Sequence, residues 1–367
     1  MGISSPNAGQ GYLNGITALS VDNIWAVGGD GNLSLTEHWD GTSWRVIPSP
    51  NVGTNSNAFI GVAAISANNV WAVGQSVWSQ WPLIEHWDGT SWSINASPSV
   101  GTDSNALMAI TSVPRTKQLW AVGWYGTGNT TTTLIEHWDG TNWSVVPGPV
   151  IGTDSILEGV TALSKNNVWA VGAQNIVGAS VGQPLIEHWD GRSWSVSSRP
   201  NQESNGFLRA VARVPGASKL WAVGTYSNTN TSYETLTEYW DGGNWSIVSS
   251  PNHSPESSTS VNMLVGVTAL SATNVWAVGL YEYSNAMTAT QPLVEHWDGG
   301  RWNIVSSPNP GANSSLTGVT RVLESNRIWI VGEISYYQSF IESYVRCSSC
   351  RYRTASRALS GTTAIYG

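Results

Sequence analysis

The run Val70-Trp71-Ala72-Val73-Gly74, with Leu83-Ile84-Glu85-His86-Trp87-Asp88-Gly89 and Trp92-Ser93-Ile94 after it, decides the fold. Preceded by Gly61-Val62-Ala63-Ala64-Ile65, it makes four short apolar or alternating runs, each broken by Gly, Asn, Asp-Gly or Pro. Such runs, punctuated by turn residues and lacking a 3.6-residue apolar period, read as four β-strands joined by hairpins. The Asp88-Gly89 pair between the third and fourth runs is a hairpin signal.

The unit recurs along the chain. Trp-Ala-Val-Gly begins at Trp25, Trp71, Trp120, Trp169, Trp221 and Trp276 and returns as Trp-Ile-Val-Gly at Trp329, seven copies spaced 46 to 55 residues apart. Each is followed by a Glu-His-Trp-Asp-Gly block or a variant, and six are followed by a further Trp five residues on, at Trp44, Trp92, Trp143, Trp194, Trp245 and Trp302. Four strands in a unit of about 50 residues is one propeller blade, and seven blades close a ring that protects the sheet edges. The expected fold is all-β, a single seven-bladed β-propeller of four antiparallel strands per blade with a degenerate last blade. Its blades run at about 8–50, 51–99, 100–148, 149–200, 201–251, 252–308 and 309–346, and 347–367 form an atypical tail.

The seventh unit keeps only Glu342-Ser343-Tyr344 of the second block. Two segments could supply its outer strand. The tail offers Cys347-Ser348-Ser349-Cys350 as a hairpin that returns residues 351–358 along Phe340–Val345, and this is the favoured expectation. The N-terminal Ile3-Ser4-Ser5-Pro6-Asn7 copies the fourth-strand ending Val305-Ser306-Ser307-Pro308-Asn309 and could close the ring from the other end.

Val27-Gly28-Gly29, Glu37-His38-Trp39-Asp40 and Trp44 resemble the kelch repeat, in which glycine follows a hydrophobic second strand, a Glu-x-Tyr-Asp block lies on the third and Trp opens the fourth. Tryptophan stands where kelch has tyrosine, and the other blades keep a single glycine. The array is also similar to Trp-Ala-Val-Gly repeats of bacterial propellers. The resemblance covers roughly residues 12 to 345 and implies the propeller fold.

Residues present once per blade build the blade, because chemistry needs one site. Nineteen of the 22 tryptophans are repeat positions, and burying each gives about 1.5–3 kcal/mol or more. The seven glutamates Glu37, Glu85, Glu136, Glu187, Glu238, Glu295 and Glu342 share a face with the aromatic residue two positions on, and they are expected to accept backbone or tryptophan N–H bonds there. The Asp of each Asp-Gly is a turn former. Histidines 38, 86, 137, 188 and 296 lie one blade apart and cannot converge on one metal. No metal site and no cofactor is expected.

Charged residues are 11% of the chain and the formal net charge is -8, which argues against nucleic acid or anionic lipid as partner. No apolar run is long enough for a transmembrane helix, so membrane insertion is not expected. The opening residues read as carrying no signal peptide, and an extracellular or cell-surface setting is the expectation, for a monomer; sequons such as Asn95, Asn129 and Asn230 are what Asn- and Ser-rich turns give by chance and do not bear on it. The lone Cys347-x-x-Cys350 lacks the second pair a zinc site needs.

Loop length separates the two faces of the ring. The turn between third and fourth strands is constant, whereas the second-to-third connection runs from 9 residues (Gly28 to Glu37) to 16 (Gly279 to Glu295). All three non-repeat tryptophans, Trp78, Trp81 and Trp124, fall in these connections with Tyr125, Tyr226, Tyr281, Tyr283 and Tyr336. Aromatics among Ser, Thr and Asn suit a glycan or a peptide; they also suit packing of their own loops. Acids nearby, Asp103, Asp154, Glu282 and Glu333, favour neutral or cationic ligands. The reading is a non-catalytic binding module for carbohydrate or for a protein or peptide, acting through the long-loop face. The alternatives are a pure interaction scaffold and a glycan-active enzyme or oxidase. For the last, the sequence offers no cysteine before Cys347 for a cysteine-linked tyrosine and few arginines for a sialidase triad.

Overall fold

The computed structural model describes residues 5–6, 11–53, 56–76, 81–98, 100–152, 154–177, 181–200, 205–229, 232–253, 260–283, 289–307, 313–335 and 338–345. They contain strands and turns only. Six repeats each form an antiparallel four-stranded sheet in chain order, as in Gly11–Ser20, Asn23–Asp30, Leu33–Trp39 and Trp44–Val46 of blade one. Blade seven contributes Ser314–Arg321, Arg327–Ile334 and Gln338–Val345. Blades five and six touch edge to edge through one parallel bridge, Tyr233 to Val261. The connections expected as long loops differ from that reading: in blades three to five the second and third strands continue as tall hairpins, Leu119–Thr127 with Thr130–Trp138 for example, so the extra residues extend the sheet.

Tryptophans join the blades. The first repeat Trp of every blade is at most 3% exposed and lies against the next blade. Trp25 meets Trp87 at 5.0 Å and Trp92 edge-on at 5.3 Å, and the same triad recurs as Trp71–Trp138–Trp143, Trp120–Trp189–Trp194, Trp169–Trp240–Trp245 and Trp221–Trp297–Trp302. Tilted and edge-to-face pairs at these separations are the favoured geometry for aromatic rings. Trp329 of blade seven meets Trp39 and Trp44 of blade one at 5.4 and 5.6 Å, which closes the ring. In blade seven Tyr344 stands where the other blades have the third-strand tryptophan, and Trp276 meets it at 5.5 Å.

Each repeat histidine stacks on the first Trp of its own blade, His188 on Trp169 at 4.1 Å for instance. Its Nε2 meets an asparagine two residues before that Trp, at Asn23, Asn69, Asn167 and Asn274, 2.9 to 3.1 Å away. Blade three has Gln118 there, and His137 Nε2 has no partner. Blade five replaces both residues, placing Lys219 Nζ 5.8 Å above Tyr239. Each turn aspartate takes two backbone N–H bonds, Asp40 Oδ1 from Thr42 and Ser43 at 2.9 Å, and these hold its carboxyl below the usual range.

The seven glutamates do not bond tryptophan or backbone N–H, which corrects the sequence expectation. Each points between blades at the residue before the proline that ends the preceding blade. Ser97 donates to Glu136 Oε1 at 2.7 Å, Ser250 to Glu295 Oε2 at 2.9 Å and Ser307 to Glu342 Oε1 at 3.3 Å, and Arg199 pairs with Glu238. Ser49 faces Glu85 but shares its bond with Ser34 Oγ, 2.8 Å away. In blade one this place is taken by Ser5, donating to Glu37 Oε1 at 2.6 Å. The N-terminal Ser5-Pro6 thus meets blade one as a fourth-strand ending would. The tail, residues 347–367, lies outside the described residues, and with it the expected pairing of 351–358.

Gly148 occupies the same place between blades three and four, so both Glu187 carboxyl oxygens are buried without a partner. A Cβ on Gly148 would meet only ordinary contacts, the nearest at 3.4 Å, with Glu187 Oε2 at 3.6 Å. Gly148→Ser should therefore stabilise the protein by about 1 kcal/mol, read as a higher urea midpoint; an unchanged or lower midpoint contradicts the assignment. Burial pushes Glu85, Glu187 and Glu295 up to about 8 and Glu37, Glu136 and Glu342 up to about 7. A raised carboxyl contributes stability that is fully present below its unfolded value of 4.5 and is lost as pH rises through the folded value. The turn aspartates act oppositely, their contribution being lost as pH falls below 3.8. The melting temperature should be highest near pH 4 and fall between about pH 4.5 and 8, with Glu187→Gln flattening the fall. A flat or rising profile would contradict this.

Candidate functional site

The glycine of Trp-Ala-Val-Gly is where the site begins. A Cβ on Gly28 would lie 1.9 Å from the Tyr12 carbonyl oxygen, and at Gly74, Gly123, Gly172, Gly224, Gly279 and Gly332 the clash with the inner strand is 1.9 to 2.0 Å. Opposite each glycine the inner strand carries one extra residue, so that Leu13 pairs Gly28 and Gly15 pairs Val27, with Asn14 left over. A bulge of this kind re-aims the extra side chain. The seven extra residues are Asn14, Ile60, Met108, Glu158, Arg209, Val265 and Thr317. They line an axial cavity of about 340 Å3 with the Gly, Ala and Ile or Val residues that follow them on each strand. Ligand sites of 300 Å3 and more are usual for small or peptide-like groups.

This ring is the one layer of the lumen with seven different residues. Its polar members are held by neighbouring blades. Asn14 Nδ2 donates to Phe59 O at 2.8 Å and Thr317 Oγ1 to Leu13 O at 2.5 Å. Arg209 Nη1 bridges both oxygens of Glu158, at 2.6 and 2.7 Å, and its guanidinium sits 5.0 Å from the Phe207 ring centre. Burial pushes the Glu158 carboxyl up and the Arg209 charge pulls it back. Ile60, Met108 and Val265 supply the apolar share. Sequence reading missed the ring because bulges are invisible to strand alternation; aligning the seven repeats on their glycines would expose it as an inner-strand position at which all seven residues differ.

The inner strands start at the long-loop face and end at the hairpin face. Four residues past the variable ring, about 13 Å along a strand, the equivalent positions are Ala18, Ala64, Ser112, Ala162, Arg213, Ala269 and Arg321. Charge divides the same way. The long-loop face carries Asp30, Asp103, Asp154, Glu234, Glu282 and Glu333. Of the described arginines and lysines only Arg199 and Arg209 belong to that half, and both are ion-paired with glutamates.

The predicted aromatics do not gather into one described patch. Trp81 is 48% exposed at the rim. Trp124 is half-buried in its hairpin, between Ala106 and Thr133. Tyr125 packs on the core between blades two and three, Tyr226 on that between four and five, and Tyr281 on that between five and six. Burial, helped by the hydrogen bond that Tyr226 donates to Glu234 Oε2 at 2.7 Å, pushes its phenol up to about 12. Tyr281 stacks on His253 at 4.1 Å. Trp78, Tyr336 and the Tyr283 side chain lie outside the described residues. Among the described residues no three His, Cys, Asp or Glu side chains are grouped to hold a metal ion, and no helix is long and apolar enough to cross a membrane.

No family profile and no curated protein sequence matches the chain. Solved structures do. YCF48 bound to a D1 peptide superposes with a TM-score of 0.60 at 16% identity, over 95% of this chain and 97% of the other. A polysaccharide lyase, ulvan lyase, gives 0.55 at 8% over 94% and 92%. The extracellular domain of a one-component system of B. thetaiotaomicron gives 0.57 at 10%, over 93% of this chain and 39% of that one. At these identities the likeness establishes the fold: the chain is a β-propeller.

Proposed function

We propose that this propeller is a non-catalytic binding module that takes an extended, neutral or cationic peptide segment into the long-loop mouth of its lumen. The observation that carries the reading is the variable ring. A scaffold that repeats its tryptophans, glycines and turns seven times places seven different side chains at the one level where they line the cavity. The mixture suits a peptide, with Ile60, Met108 and Val265 for an apolar side chain and Asn14, Thr317 and the Glu158–Arg209 pair for backbone groups. The acids of the long-loop rim, Asp30, Asp103, Asp154, Glu234, Glu282 and Glu333, steer cations towards it. That one similar propeller is bound to a peptide supports the ligand class. Exposed Trp81 favours a second reading, a carbohydrate stacked at the rim.

A peptide-display selection run beside a glycan array supplies the probe. Met108→Lys and Ile60→Lys should weaken the selected peptide by about 30-fold or more, as loss of a central contact does, while Trp81→Ala leaves it within a few-fold. Binding unaffected by both ring variants overturns the proposal, as does a glycan whose binding is abolished by Trp81→Ala alone. Circular dichroism melts separate either result from unfolding.

A further inference from the structure

The hairpin-side end of the lumen carries two charges that the scaffold does not need. Arg213 ends the inner strand Asn205–Arg213 of blade five and Arg321 ends Ser314–Arg321 of blade seven. They are equivalent, because each pairs with the residue before the repeat Trp: Arg213 with Leu220 and Arg321 with Ile328, as Ala269 of blade six pairs with Val275. Five of seven blades build the same strand with Ala or Ser at this register, so neither the length nor the charge of an arginine is required for the fold.

Both arginines are half-buried, and among the described residues neither has a carboxylate within ion-pairing distance; the three ion pairs lie elsewhere. Arg321 Nη1 donates to the carbonyl of Ala269 at 3.5 Å, on blade six, the blade that separates the two arginines. It opens on a cavity of about 320 Å3 that it shares with Leu270 and Asn326. Glu324 also borders this cavity, on the exposed hairpin. Burial pulls both guanidiniums below their usual range, and repulsion from Arg213 adds to the effect at Arg321. Two like charges withdrawn from water without a counter-ion destabilise the free protein. Departures from a repeat that lack a structural return collect at functional sites.

We infer that the hairpin-side mouth of the lumen binds an oxyanion, the carboxylate, sulfate or phosphate group of a ligand, between Arg213 and Arg321. Guanidinium is the side chain best matched to such groups, through paired N–H donors and weak hydration. The site is independent of the peptide proposal: it lies at the other end of the lumen, and its ligand has the opposite charge.

The experiment titrates inorganic phosphate, sulfate and citrate, with sodium chloride at matched ionic strength, and reads melting temperature and calorimetric heat. At least one oxyanion should give a saturable rise of a few degrees that chloride does not, and the ranking of the three identifies the group. Arg213→Ala and Arg321→Ala should each weaken that binding by about tenfold or more, and Arg213→Ala should leave the melt in chloride unchanged or raised, since it removes a repulsion. Arg213→Gln and Arg321→Gln, which remove the charge but keep a long polar side chain, repeat the test if an alanine variant fails to fold. Ile60→Lys, in the other ring, should bind the oxyanion as the parent does. The inference is overturned if no oxyanion exceeds chloride, or if the rise persists in the double variant Arg213→Ala, Arg321→Ala.

Discussion

The contact between the first tryptophan of one blade and the tryptophan pair of the next is the interaction on which the rest depends. A four-stranded blade has two faces and cannot bury both alone; stacking neighbours around an axis buries them all. Five triads, the Trp276–Tyr344 contact and the closing set Trp329–Trp39–Trp44 make the ring continuous. With large aromatic area assigned to these seams, the inner strands are released from core duty at one position per blade.

That release has a specific cause. Glycine after Trp-Ala-Val lets the inner-strand carbonyl approach to where a Cβ would stand, and the strand accommodates by bulging. The bulged residue faces the lumen and is under no packing constraint from the repeat. Repetition and individuality therefore occupy adjacent residues: Leu13, Phe59 and Leu107 are fully buried and interchangeable in kind, while Asn14, Ile60 and Met108 beside them share nothing. The polarity of the molecule follows the same geometry, with an acidic rim on the long-loop face and, at the opposite mouth, two arginines without a carboxylate partner among the described residues.

Much of the architecture was legible in the sequence. Tryptophan spacing, Asp-Gly turns and strand-length runs report local rules, and seven copies of a local rule give the blade count. The site was far less legible. Tyr125, Tyr226 and Tyr281 read as exposed loop aromatics because their connections are long, yet the strands simply extend and the rings fold onto the seams. The glutamates read as N–H acceptors, but their partners come from the preceding blade's X-Pro position, a contact about 35 to 45 residues away in sequence. Strand alternation carries no information on either point, since both depend on how one blade sits against the next.

The closed ring is the central claim, and comparing Trp329→Ala with Trp169→Ala in thermal and urea unfolding tests it most directly. In a closed ring every seam is internal, so both variants should lose comparable stability, about 3–5 kcal/mol, in one cooperative transition. If Trp329→Ala instead left the main transition in place and added a separate early one confined to blade seven, the seam between blades seven and one would not be holding the ring, and the account would be wrong.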